Sequence, residues 1–116
     1  MKYLCLVYCE ERLLPTMPDS DCVNYDESLR QSGHCVASEA LQPVNTATTV
    51  RMREDKISIT DGPFAETKEQ LAGFYLIEAK HLDEAIEIAA HIPAAKEGSI
   101  EVRPIRPIRE TVKQGQ

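Results

Sequence analysis

The chain has 116 residues, 42% hydrophobic and 28% charged, which fits one globular domain and excludes a disordered chain, a collagen-like fibre or a disulfide mini-protein. Thirteen Lys and Arg face nineteen Asp and Glu, a net charge of −6, so the basic footprint of a nucleic-acid binder is missing. With two Phe, four Tyr and no Trp, base-stacking platforms are scarce and aliphatic residues must fill the core.

Lys2 to Tyr8 is short, β-favouring and apolar on both alternations, the pattern of a strand in a sheet centre covered on both faces. It runs into Cys9, Glu10, Glu11 and Arg12, too soon for a secretory leader, and no stretch nears the roughly 18 apolar residues of a membrane span. A cytoplasmic protein is expected. Leu13 to Asp19 reads as a loop punctuated by Pro15 and Pro18. A helix is predicted over 19–31, with Asp19, Ser20 and Asp21 as N-cap candidates and Gly33 beyond its end. Strands are predicted over 34–41 and 46–53. Glu54-Asp55 turns the second of these into a hairpin with 56–60. Asp61-Gly62-Pro63 is a strong turn signal, and Thr67 to Gln70 has capping-box spacing for a short helical turn. Gly73 to Ala79 reads as another apolar strand and 82–91 as a helix with Leu82, Ala85, Ile86, Ala89 and Ala90 inward. Ser99 to Arg103 alternates as a strand, and Pro104 and Pro107 place it on a sheet edge.

This order is β-α-β-β-α-β with an added hairpin strand, a ferredoxin-like α+β fold in a single domain over residues 1–110, with a frayed tail over 111–116. Two helices cover only one sheet face, so a second copy is expected on the other, giving a homodimer with a barrel-like pair of sheets.

Residues 61–75 read DGPFAETKEQLAGFY. This stretch resembles the signature of the DGPF family, a branch of the YCII-related domain proteins. The likeness extends to Lys2-Tyr3-Leu4, Glu39-Ala40-Leu41, Thr48 to Arg51, Asp83-Glu84-Ala85 and Ile100 to Pro104. The resemblance implies a dimeric α+β barrel and, for some members, association with extracytoplasmic-function sigma factors. The broader group has a His–Asp pair proposed as catalytic, its His on the first helix. The helix expected here over 19–31 has no His, so that pair does not carry over.

Asp61, Glu66, Lys68 and Glu69 crowd one loop. They suit a cleft with a carboxylate base and a Lys partner, or a turn whose charges only decorate it while Phe64 plugs the core. Arg51 and Arg103, on polar alternations, could grip a ligand anion in the cavity between two sheets, towards which Tyr3 and Tyr75 are expected to point. The structural alternative is intersubunit pairing of these Arg with Glu39 or Glu101. His34 is the imidazole best placed as a general base, while His81 and His91 are expected to cap or be solvated. Candidate catalytic residues are therefore Asp61, Lys68 and His34; candidate ligand-binding residues are Arg51, Asp61, Glu66, Lys68, Tyr75 and Arg103. Cys5, Cys9, Cys22 and Cys35 lack zinc spacing and are read as structural, and no metal, cofactor or phosphate-loop motif stands out.

Two functions fit: a small-molecule binder or cofactorless enzyme working in the dimer cavity, or a non-catalytic module that binds a sigma factor. If the motif is structural, Asp61→Asn and Lys68→Ala lower the melting temperature in a thermal scan and leave ligand binding unchanged.

Overall fold

Strand β1, Lys2–Cys9, is buried at every second residue: Tyr3, Cys5, Val7 and Cys9. The computed structural model describes residues 1–108; the expected frayed tail lies outside them. β1 is followed by a 3-10 turn over Glu11–Thr16, helix α1 (Asp19–Gln31), β2 (Cys35–Ala40), β3 (Thr48–Arg53), β4 (Lys56–Asp61), β5 (Gln70–Glu78), helix α2 (Leu82–Ala90), a 3-10 turn over Pro93–Lys96 and β6 (Ser99–Pro104). The main sheet is antiparallel in the order β2-β5-β1-β6, which is the ferredoxin-like order, and β3-β4 forms a separate two-stranded ribbon. β6 takes the expected edge. No helix among the described residues is long and apolar enough to cross a membrane.

Both helices lie on one face. Tyr3, Cys5 and Val7 of β1 join Tyr75 and Ile77 of β5, Leu29 of α1 and Ala85, Ile88 and Ala89 of α2 in one cluster. The Tyr25 hydroxyl donates to the carbonyl of Ile88 and ties the two helices together. On the other face Leu4, Leu6, Phe74 and Leu76 are half-buried, with Glu101 and Arg103 beside them.

Local chemistry sets the ends of these elements. After α1 the amides of Gly33 and His34 donate to the carbonyls of Arg30 and Leu29, a Schellman closure. At its start Pro18 takes the cap position, and the acids expected there, Asp19 and Asp21, sit in the first turn. His81 caps α2: its Nδ1 accepts from the Glu84 amide at 3.2 Å, and Glu84 accepts from the Lys80 amide at 2.7 Å. The Lys80 amide above all, helped by His34 and the Lys80 charge, holds the Glu84 carboxyl below its ordinary range. The expected loop after β1 is partly wound because the Leu13 amide reaches the Glu10 carbonyl at 2.9 Å. The expected helical turn over 67–70 does not form. Instead the Thr67 hydroxyl donates to the Glu69 carbonyl and the Gln70 side chain to the Thr67 carbonyl, and β5 begins at Gln70.

The β3–β4 ribbon stands apart from this body, and every residue of β4 is exposed. Its tip residues Glu54 and Asp55 both have positive φ, 51° and 63°, as a type I′ turn requires. The molecule measures 45 × 44 × 20 Å with a radius of gyration of 16.7 Å, against about 13 Å for a compact chain of roughly 100 residues.

At the other end of β1, a Cβ at Gly98 would lie 2.0 Å from the Tyr8 carbonyl oxygen, where no backbone can give way. Gly98→Ala is expected to cost ~3 kcal/mol or more, read as a drop in the urea midpoint, whereas the exposed Lys96→Ala changes stability by ~0.5 kcal/mol or less.

Candidate functional site

A cleft of about 270 Å³ opens on the helix side of the sheet, between α1, the Pro93–Lys96 turn and strands β1, β2 and β5. Val7, Cys22, Asp26, Ser38, Tyr75 and Ala94 line it. Register places them: Ser38 is directly opposite Tyr75 in the β2–β5 ladder, and Cys22 and Asp26 are one helical turn apart on α1.

Asp26 is the charged centre. Its Oδ1 accepts from the Ser38 hydroxyl and from the Cys35 thiol at 3.6 Å, and its Oδ2 accepts from Arg30 Nε at 2.9 Å. The Ser38 bond above all, helped by Arg30, holds the carboxyl below the usual Asp range. An ionised carboxylate offers about four acceptor positions. Three are filled here by described residues, and the side chain is 30% exposed.

Tyr75 is the complementary group. It is buried, stacks edge-on against Tyr25 with ring centroids 5.9 Å apart, and lines the cleft. Burial, with the charges of Cys22 and Asp26 nearby, pushes its phenol well above the ordinary range, so it stays a proton donor. Among the described residues none hydrogen-bonds the Tyr75 hydroxyl. Tyr25, half-buried and near Cys5, is pushed up to about 12 by desolvation, but its hydroxyl is spent on the Ile88 carbonyl.

The residues singled out in the sequence are scattered by comparison. Tyr3 and Tyr75 face the helices, not the open sheet face expected, because the odd positions of β1 and their β5 partners are the ones the helices cover. Arg103 is on the open face, bonded to Glu101 of its own strand. Arg51 sits on the ribbon with its guanidinium 5.7 Å from the centre of the Phe64 ring. Phe64 does not plug the core: it is 80% exposed, on the loop that joins the ribbon to β5. Asp61 ends β4 opposite Thr48 and is exposed. Gly62, at φ 105°, lets its amide reach the Ala47 carbonyl at 2.8 Å while its carbonyl accepts from Thr49. Glu66 and Lys68 are exposed on a shallow surface beside Val44 and Pro63, and Lys68 reaches Glu10 at 3.9 Å. His34 lies where α1 ends, between Ser32 at 2.8 Å and Glu84 at 3.6 Å, outside the cleft. The loop does border a wider, open groove of about 660 Å³, with Tyr8, Leu41, Phe64 and Leu71 on its walls. Among the described residues no group of three His, Cys, Asp or Glu could hold a metal ion.

The model of the YCII-related domain matches residues 1–109, nearly the whole chain. The chain belongs to the YCII-related domain family. An uncharacterized protein of Rhizobium meliloti (strain 1021) is 49% identical over 67 residues, 56% of this YCII-related chain and 54% of that relative, so the match spans about half of the relative's length. Among solved structures, 5-chloro-2-hydroxyhydroquinone dehydrochlorinase (TftG) of Burkholderia phenoliruptrix AC1100, in complex with 2,5-dihydroxybenzoquinone, superposes with a TM-score of 0.56 at 16% identity, covering 91% of this chain and 94% of that one. That likeness establishes a shared fold.

Asp26 and Ser38 were not among the residues the sequence singled out. The available signal was modest: Cys22 and Asp26 flank the inward Tyr25–Leu29 pair on a helix whose apolar stripe is otherwise weak. Because the folded Asp26 pKa is lowered, its contribution to stability is present above the unfolded value, near 3.8, and disappears as pH falls through the folded value. Ser38→Ala removes the main cause. It is expected to raise the Asp26 pKa in a carboxyl NMR titration and to move acid unfolding to higher pH.

Proposed function

We propose that this protein binds a small, planar, oxygenated ring in the cleft between α1, β2 and β5. One observation carries this reading: an ionised carboxylate with an acceptor position to spare, Asp26, and a phenol with no protein partner among the described residues, Tyr75, face the same largely apolar space. A ring hydroxyl donates to Asp26 while an oxo group on the same ring accepts from Tyr75, and Ser38 and Arg30 position the carboxylate. The ligand named with the TftG structure, a ring bearing both hydroxyl and oxo groups, belongs to the chemical class this pair suits.

Within the family, the run from Asp61 to Tyr75 supports placement in the DGPF branch. The half-exposed apolar face of the sheet supports a homodimer. A second reading, a module that binds an extracytoplasmic-function sigma factor, draws support from the open groove around the exposed Phe64. It predicts coelution with such a factor, lost in Phe64→Ala.

Hydroquinone, neutral at pH 7, is the first probe. Titration followed by NMR is expected to shift signals of Asp26, Ser38 and Tyr75. Asp26→Asn should weaken binding ~10-fold or more, since a hydrogen bond to a charged group is lost, and Phe64→Ala should leave it unchanged. Hydroquinone binding that is indifferent to Asp26→Asn, or confined to the 61–69 loop, would sink the reading.

A further inference from the structure

The β3–β4 ribbon pairs in register so that Val50 faces Ile59 and Met52 faces Ile57. All four therefore share one side, and each is 58–65% exposed, so the chain's own body does not cover them. A two-stranded hairpin is marginal alone in water, and a contiguous apolar strip of this size marks an interface. We propose that this ribbon is an intersubunit clasp, its apolar side seated on the open sheet face of a second copy around Leu6 and Phe74, reciprocally about a two-fold axis. The inference rests on the homodimer of the preceding reading and names the segment that holds it.

Two observations select a second copy as the occupant. The chain itself carries both halves of the contact, a projecting apolar ribbon and a flat apolar sheet face, and a two-fold axis brings each against its complement. The area is of the right order: at roughly 60–100 Å² of apolar side chain each, the four ribbon residues supply up to about half of the ~800 Å² per partner of a stable interface, and the sheet face of the same copy adds to it.

Sedimentation equilibrium of the full chain at micromolar concentration, with hydrogen exchange on the same samples, tests the clasp. The wild type is expected to be a dimer whose ribbon amides are protected, and the double variant Ile57→Lys/Ile59→Lys a monomer with unchanged far-UV circular dichroism and a dissociation constant raised ~100-fold or more. A variant that remains dimeric, or wild-type ribbon amides that exchange freely within a dimer, overturns the clasp and leaves the homodimer standing. A monomeric wild type overturns both and leaves the cleft reading to its own titration.

Discussion

Strand β1 carries apolar side chains on both alternations, and this chain supplies helices for one of them. Everything else is arranged around that asymmetry. The helices take the odd side, Tyr3, Cys5 and Val7, and the antiparallel register then decides which β5 residues join them. Cys5 pairs with Tyr75, so Tyr75 must face the helices. Ser38 pairs with Tyr75, so Ser38 must face them too, within reach of Asp26. The candidate site is a consequence of strand pairing around one two-faced strand. The same asymmetry leaves Leu4, Leu6, Phe74 and Leu76 on the far side without a helix to cover them.

The motif that dominates the sequence has a different role in space. Its aspartate ends a strand, its glycine supplies a positive φ, and its phenylalanine lies outside beneath a guanidinium. These features brace the root of the ribbon, through the Gly62 amide to Ala47 and Thr49 back to the Gly62 carbonyl. The run therefore divides in space: its head, Asp61 to Phe64, sits at the root of the ribbon, while its end lies in β5 and supplies Tyr75 to the cleft beside Asp26.

Much of the fold was legible because it follows from local rules. Period-two alternation located the strands, the run of 19–31 gave a helix with those bounds, and Pro104 marked β6 as an edge. What escaped depends on distant parts of the chain. Alternation says that Tyr75 and Phe74 point to opposite sides of β5, but not which side the helices cover. The bond from Ser38 to Asp26 joins a strand to a helix across a turn, and no spacing rule announces it. Thr67 to Gln70 had the letters of a capping box, yet the pull of the β1–β5 ladder made Gln70 the first residue of a strand. Phe64 was assigned to the core by residue type alone, and the loop that carries it never reaches the core.

The burial pattern also sorts the four thiols, all of them unpaired. Cys5 and Cys9 are fully buried, Cys5 within the core under the helices, where burial pushes its thiol up to about 11. Cys35 is half-covered and bonded to Asp26, while Cys22 is exposed at the mouth of the cleft. Oxidants and electrophiles react with the thiolate, so the interior pair is chemically silent while the chain stays folded. Of the four cysteines, the one open to a reagent is therefore the one that shares a wall with Asp26 and Tyr75, though desolvation, with Asp19 and Asp21, holds its thiol above the ordinary range. A thiol label meets the cleft before it meets the core.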